Sequence, residues 1–173
     1  YGIGTLAIAG FPMFSGFYSK EEILAAAYHH SPVVFGLLAF AAMLTSFYMF
    51  RSLFLTIFGT PRDKHAFDHA HESPAIMTIP LIVLSILSVF VGFAMHHDNN
   101  LARWISWGEP HEAAEGGHMV VLVTSLGVFM LGLIGAMAVY MSKAPTYDVL
   151  SVRFAGIYKV LRNRYYVDEL YLW

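Results

Sequence analysis

The chain contains no cysteine and few charged residues. Without cysteine it cannot form a disulfide framework, a thiolate metal site or a cysteine-ligated iron–sulfur cluster. Charged residues make up 13% of the 173 residues, whereas soluble globular proteins carry roughly 25%. The formal net charge is −2, and no basic field points to nucleic acid as a partner. The composition therefore favours a membrane protein.

Other common signals are also missing. The chain begins at Tyr1 with an apolar, helix-like pattern rather than a charged signal-peptide start. It ends at Trp173 within an unfinished amphipathic pattern, so we interpret it as an internal piece of a longer polypeptide. It has no phosphate-binding loop, nucleophile elbow or haem-binding pair. We therefore predict no cofactor and no metal bound by this chain.

Long apolar runs dominate instead. A helix needs about 20 mostly apolar residues to cross a bilayer, and residues 32–58, 74–96 and 119–142 satisfy this. Residues 3–30 form a fourth segment that is long enough but interrupted. We predict an all-α integral membrane protein. Its residues 1–142 form a helical bundle fragment with one discontinuous and three continuous transmembrane helices.

The distribution of lysine and arginine predicts the orientation of these helices. Residues 59–73 contain two Lys/Arg residues and the tail after residue 142 contains five, whereas residues 96–118 contain one among mainly acidic residues. Residues 59–73 and the tail should therefore face the cytoplasm or the mitochondrial matrix, and residues 96–118 the opposite side. In the tail, residues 143–173, apolar side chains such as Phe154 and Ile157 share one helical face that basic residues flank. The tail is thus either a membrane-surface helix or a docking element.

The interruption lies in the sequence FPMFSGFYSKEEIL, residues 11–24. Pro12 removes a backbone donor and Gly16 loosens the chain, so we predict that the helix opens between about Gly10 and Ser19. Irregular backbone at membrane depth is tolerated only where protein or water covers it. Transporters use such breaks to direct polar groups at an ion path.

Charged residues follow the break directly. Ser19 and Glu22 have the spacing of a capping box, which predicts that a new helix begins there and places Lys20 in its first turn. The positive end of a helix disfavours an ammonium group, whereas Glu21 and Glu22 favour it. A lysine under such opposing influences changes protonation when a nearby charge moves, as a proton relay requires.

The depth of Lys20 decides between two interpretations. If the second half-helix continues to about Tyr28, Lys20 lies near the bilayer midplane, where charges are usually functional. If the first span instead ends near Tyr18, Lys20 merely extends to the interface.

Three further sets of residues each allow two interpretations. Arg51 either extends to the basic side or pairs with a carboxylate inside the bundle. His29 and His30, at the end of the second half-helix, either pass protons to the surface or lie passively at the interface. The spacing of His65 and His69 permits a metal site only on a helix, and a solvated loop is the simpler interpretation.

Three motifs resemble the antiporter-like L subunit, also called chain 5, of respiratory complex I, the proton-pumping NADH–quinone oxidoreductase. The first is GFPMFSGFYSKEEIL, residues 10–24. The second combines TSFYMFRSLFLTIFG, residues 45–59, with HESP, residues 71–74. The third, YYVDELYLW at residues 165–173, is similar to the start of that subunit's amphipathic lateral helix. The resemblance covers essentially the whole chain.

The resemblance implies a non-redox subunit of a proton-translocating enzyme. Lys20 matches the position of the family's terminal proton-transferring lysine, and Glu21 the acidic residue that follows it. NADH, FMN, iron–sulfur clusters and quinone are expected in partner subunits. The expected surroundings are the lipid bilayer and other membrane-arm subunits of a bacterial or mitochondrial inner membrane, with the bacterial one preferred. The alternatives are a subunit of a multisubunit sodium/proton antiporter and a non-transporting scaffold.

Overall fold

A computed structural model of the chain describes residues 1–59, 64–96, 117–141 and 151–172. Within these ranges the chain is helical and contains no strand. The helices are α1 (Gly2–Ala9), α2 (Ser15–His30), α3 (Pro32–Ile57), α4 (Lys64–Asp68), α5 (Ala75–His96), α6 (His118–Tyr140), α7 (Ala155–Arg162) and α8 (Val167–Leu172), with a 3-10 turn at Arg164–Tyr166.

Three of the described helices are long and apolar enough to cross a membrane. They are Pro32–Ile57, Ala75–Gly92 within α5, and His118–Tyr140. Together with the helices on either side of the break, α1 and α2, they confirm the predicted all-α membrane class. The division of the chain into a bundle and a separate tail stays a prediction.

Helices α3 and α6 run parallel and form the main packing unit. Near their middle the buried Ser46 hydroxyl donates a hydrogen bond to the Phe129 carbonyl oxygen at 3.1 Å. Towards their ends the Arg51 guanidinium carbon lies 5.5 Å from the centroid of the Tyr140 ring. Because both helices cross in one direction, the intervening α5 returns across the membrane. This alternation agrees with the basic residues of the α3–α5 connector and of the tail lying on one side.

Small residues permit the close α3–α6 contact, as the sequence spacing of Gly132 and Ala136 indicates. Ala136 is fully buried. A Cβ atom on Gly132 would lie 2.7 Å from the Met43 carbonyl oxygen and 2.6 Å from the Ser46 Cβ atom. Gly92 of α5 is placed similarly, since a Cβ there would lie 2.2 Å from the Ser15 Cα atom of α2. These contacts join α3 to α6 and α2 to α5.

We expect Gly132→Leu to destabilise the bundle, because the added side chain meets the α3 backbone. Overpacked cores typically lose about 1–3 kcal/mol, and backbone atoms relax less than flexible side chains. The matched control is Gly127→Leu on the same helix, where no atom lies within 4 Å of the added Cβ. Thermal unfolding of the purified chain in detergent measures the difference. An equal loss of stability in both variants would contradict the packing argument.

The tail contains α7 and α8, whose side chains are almost all exposed. The 3-10 turn between them places Arg164, Tyr165 and Tyr166 at φ 52°, 56° and 57°. Positive φ is uncommon for residues other than glycine, and this turn separates α7 from α8. Arg164 donates from Nη1 to Asp168 Oδ2 at 3.0 Å, which joins the turn to α8.

Candidate functional site

The break between α1 and α2 begins at Gly10. This residue has φ 89°, and its amide donates to the Ala7 carbonyl oxygen while the Phe11 amide donates to that of Leu6. The two hydrogen bonds form a Schellman motif, in which a left-handed glycine closes a helix C-terminus. The helix therefore opens at Gly10, as the sequence predicts. Gly10 ends α1, and Pro12 follows it in the break.

The second half-helix begins earlier than the capping box predicts. Helix α2 starts at Ser15 after an N-cap at Phe14 that makes no side-chain capping bond. The Ser19 hydroxyl instead donates to the Gly16 carbonyl oxygen within the helix, at 3.3 Å, and Glu22 is exposed. The predicted capping box is therefore wrong. The break is only about four residues long, since the Phe14 carbonyl oxygen already accepts the first helical hydrogen bond from Phe17.

Gly16 lies inside α2 rather than in the break, so its predicted loosening role is wrong. A Cβ atom at this position would lie 1.9 Å from the Ala7 carbonyl oxygen and 2.9 Å from the Ala7 carbonyl carbon. Only a glycine permits this approach of the α2 backbone to the last turn of α1. Gly16 thus fixes the distance between the two half-helices.

Lys20 reaches back across the break. Its Nζ atom donates to the Ile8 carbonyl oxygen at 2.6 Å. That carbonyl belongs to the last turn of α1, and Pro12, the residue that would donate to it in a continuous helix, has no N–H. The break therefore exposes a backbone acceptor, and the lysine satisfies it with a charge-assisted hydrogen bond.

The helix end next to Lys20 is not the predicted one. Because α2 begins at Ser15, Lys20 does not lie in its first turn. Its ammonium group faces the C-terminal end of α1, which carries a partial negative charge that stabilises cations. The ammonium form is therefore held by a helix end and a carbonyl oxygen, not disfavoured by a positive helix end.

A small cavity adjoins Lys20. Its volume is about 10 Å³, close to the lower limit for one water molecule. It lies between the two half-helices, α3 and α6, and its lining includes Ala42, Ser125 and Val128. The site is thus enclosed by four helices and has room for a single hydrogen-bonded water molecule.

The same lining gives the depth of Lys20. Ala42 and Val128 each lie ten residues after the first residue of their helix. At about 1.5 Å per residue this is roughly 15 Å, about half the thickness of a bilayer core. Lys20 therefore lies level with the middle of α3 and α6, which disagrees with an interfacial position.

Glu21 points to a different neighbour from Lys20, as adjacent residues on a helix must. It is 7% exposed. Its Oε1 atom accepts no aligned hydrogen bond and lies 3.3 Å from the Nε2 atom of His118. An ion pair forms there when His118 is protonated. The buried carboxylate is thus connected to an exposed imidazole, whose side chain is 71% exposed.

The remaining predicted residues lie apart from this site. Arg51 is exposed and stacks over Tyr140, and no carboxylate pairs with it in the described part of the chain. His29 and His30 are exposed at the end of α2. His30 lies ten residues beyond Lys20, or about 15 Å along the helix. The proton-transfer roles of all three stay predictions.

The His65–His69 pair lies at α4, where its two rings stack with centroids 4.3 Å apart. The His69 Nδ1 atom lies 2.8 Å from the His65 carbonyl oxygen. Within the described ranges, no group of three His, Asp or Glu residues is arranged to hold a metal ion.

Two residues of α6 that contact the site, His118 and Ser125, are not among the residues that the sequence predicts. The two are seven residues apart, which places them on one face of a helix. That spacing was the available signal. It carries meaning only once α6 is known to pack against α2, because His118 then meets Glu21 and Ser125 meets the Lys20 cavity.

The chain is similar in sequence to L-type subunits of quinone oxidoreductases. The chain is 33% identical over 195 residues to NAD(P)H-quinone oxidoreductase chain 5 of Picosynechococcus sp., a match that covers 98% of this chain and 29% of the relative. It is 36% identical over 175 residues to NADH-quinone oxidoreductase subunit L of Mycobacterium tuberculosis, covering 97% and 27%. The resemblance to the L subunits is confirmed. No protein-family model matches the chain.

A third relative is named after a different electron donor. The chain is 36% identical over 199 residues to F(420)H(2) dehydrogenase subunit L of Methanosarcina mazei, covering 98% of this chain and 29% of the relative. The chain thus spans less than a third of the length of each of these L-type subunits. The similarity extends over nearly all of the chain, so both the broken helix and the tail fall within it.

Proposed function

We propose that this chain is part of a proton-translocating membrane subunit of an NADH–quinone oxidoreductase. The observation that carries the proposal is the lysine at the broken helix. Lys20 is level with the middle of two membrane-spanning helices, and its ammonium group is held by the Ile8 carbonyl oxygen. Ionisable residues at such depth usually belong to ion or proton paths. The similarity to L and chain 5 subunits supports the same function.

In the proposed relay, Lys20 and Glu21 exchange a proton during the transport cycle. The Ile8 carbonyl oxygen holds the ammonium in one position. A long lysine side chain that leaves this carbonyl reaches the adjoining cavity, which Ser125 also lines. Glu21 accepts the proton through water in the path, because adjacent side chains leave a helix in different directions. The break supplies the backbone acceptor, and Gly16 keeps the acceptor within reach of Lys20.

The driving free energy enters through other subunits. This chain would bind no redox cofactor, and NADH, FMN, iron–sulfur clusters and quinone would bind to partner subunits. We propose that the partners are other membrane-arm subunits of complex I, in a bacterial rather than a mitochondrial inner membrane. The F(420)H(2) dehydrogenase relative indicates that L-type subunits serve complexes with different electron donors, so the donor is a property of the partners.

Purification of the intact complex through a tag on the full subunit tests this function. We expect NADH-oxidising and quinone-reducing subunits to copurify with it. In sealed vesicles, NADH with quinone should drive proton movement that does not depend on sodium ions. If NADH is inactive, reduced F420 is the second donor to supply.

The main alternative is a subunit of a multisubunit sodium/proton antiporter. It predicts copurification with membrane subunits alone and proton movement driven by a sodium gradient without any electron donor. Either result would overturn the complex I proposal.

A further inference from the structure

A buried carboxylate in contact with an exposed imidazole is the feature that the Lys20 relay leaves unexplained. The Glu21 side chain is 10% exposed and that of His118 is 71% exposed, with 3.3 Å between Oε1 and Nε2. A buried carboxylate oxygen without an aligned donor costs free energy. The His118 imidazole is the ionisable side chain that lies next to this oxygen.

The position of His118 is fixed by close packing rather than by a flexible loop. Gly117, which precedes it, has φ 106°. A Cβ atom on Gly117 would lie 2.5 Å from the Tyr28 Cε1 atom, so only glycine lets the start of α6 approach α2 here. This approach brings the imidazole to Glu21. Ser125, on the same face of α6, lies at the Lys20 cavity.

His118 lies between the buried carboxylate and the solvent. It is the first residue of α6, its Nε2 atom contacts Glu21 Oε1, and its side chain is 71% exposed. An imidazole that touches both a buried carboxylate and water can accept a proton at one ring nitrogen and release one from the other.

We infer that His118 carries protons between Glu21 and the aqueous surface, on the side of the membrane opposite the α3–α5 connector. This inference rests on the proposed proton-pumping function and adds the outer end of its path. The protonated Glu21 carboxyl group gives its proton to Nε2 of the neutral His118 ring, leaving a carboxylate and an imidazolium. The imidazolium releases its Nδ1 proton to water, and rotation or tautomerisation of the ring restores a free Nε2.

His118 is better placed for this task than the histidines at the end of α2. His29 and His30 lie on the surface, with the His29 ring packed against that of Tyr28 at a centroid distance of 5.5 Å. His118, in contrast, touches the buried carboxylate itself. The route from Lys20 to the surface therefore crosses from α2 to α6 instead of following α2 to its end.

The test uses the intact complex in lipid nanodiscs, where both faces are accessible and no proton gradient accumulates. We expect His118→Leu to lower NADH-driven quinone reduction by about tenfold, below the range usual for acid–base residues because water replaces part of the transfer. Imidazole added to the buffer should restore turnover, since a diffusible base can accept the proton from Glu21. Tetramethylammonium chloride at the same concentration should not restore it.

The control is His71→Leu, a histidine of the opposite connector, which should leave turnover unchanged and unaffected by imidazole. Normal turnover in His118→Leu overturns the inference. Reduced turnover without rescue by imidazole also overturns it, because a purely structural role would not respond to a small base. Neither outcome contradicts the proposed proton-pumping function. If the unmodified complex moves no protons in sealed vesicles, the proposed function fails instead.

Discussion

Replacing Lys20 with alanine should reduce proton pumping by about 10²-fold or more, the usual contribution of a positioned acid–base group. Coupled quinone reduction should fall with it. The complex should still assemble, because the lost hydrogen bond to the Ile8 carbonyl oxygen contributes only about 1.5–3 kcal/mol, and the adjoining cavity can supply a water molecule to that oxygen. Proton uptake by sealed vesicles and subunit content of the purified complex are the two measurements.

The variant Lys20→Arg distinguishes the ability of the side chain to transfer a proton from its positive charge. Arginine keeps the positive charge and can still donate to the Ile8 carbonyl oxygen, but its guanidinium does not deprotonate in proteins. We therefore expect Lys20→Arg to assemble and yet to pump as poorly as Lys20→Ala. Lys64→Ala, at the exposed helix α4, is the matched lysine control and should pump normally. If Lys20→Arg pumps normally, or Lys20→Ala does, then Lys20 is structural and the relay is wrong.

The second large effect is expected at Gly16. In Gly16→Ala the new Cβ atom would lie 1.9 Å from the Ala7 carbonyl oxygen, so the half-helices must move apart. Alanine gains up to about 1 kcal/mol in helix propensity over glycine, but overpacking typically costs about 1–3 kcal/mol, and here the obstacle is backbone. The separation would also lengthen the contact between Lys20 and Ile8. Both stability and pumping should therefore decrease.

Gly4→Ala is the matched control, since Gly4 lies in α1 and no atom is found within 4 Å of its added Cβ. There the propensity gain is unopposed, and the variant should be as stable as the unmodified chain or slightly more so. Thermal unfolding in detergent and pumping in vesicles distinguish the two variants. A Gly16→Ala protein that unfolds and pumps like Gly4→Ala would show that the half-helices are not held together by this contact.

The sequence predicted the break in the first helix but not its mechanism. Proline and glycine within an apolar run indicate an interruption from local chemistry alone. The pattern of Ser19 and Glu22 also satisfied a local rule, yet the helix begins at Ser15 without it. A capping box stabilises a helix end by about a kilocalorie per mole, a contribution small enough for tertiary packing to override, and Gly16 in the first turn of α2 packs closely against α1.

The contacts of the candidate site also join residues that lie far apart in the sequence. Lys20 and Glu21 could be selected from sequence because charges are rare in apolar segments. Their partners could not, since Ile8 lies twelve residues before Lys20 and His118 lies on another helix. The helix end that faces Lys20 was consequently predicted wrongly. The relevant helix end is the C-terminus of α1, not the N-terminus of α2.

The sequence by itself determined the membrane class, the three continuous spans, the family and the residue at the centre of the site. These follow from apolar length, local charge and matching motifs, all of which can be recognised without knowing which helices touch. Only the tertiary structure decided what Lys20 and Glu21 contact. It placed Lys20 against the carbonyl oxygen that Pro12 leaves without a donor, and Glu21 against His118. The physical reason is that small residues let helix backbones approach closely, and such contacts join residues that local sequence patterns do not relate.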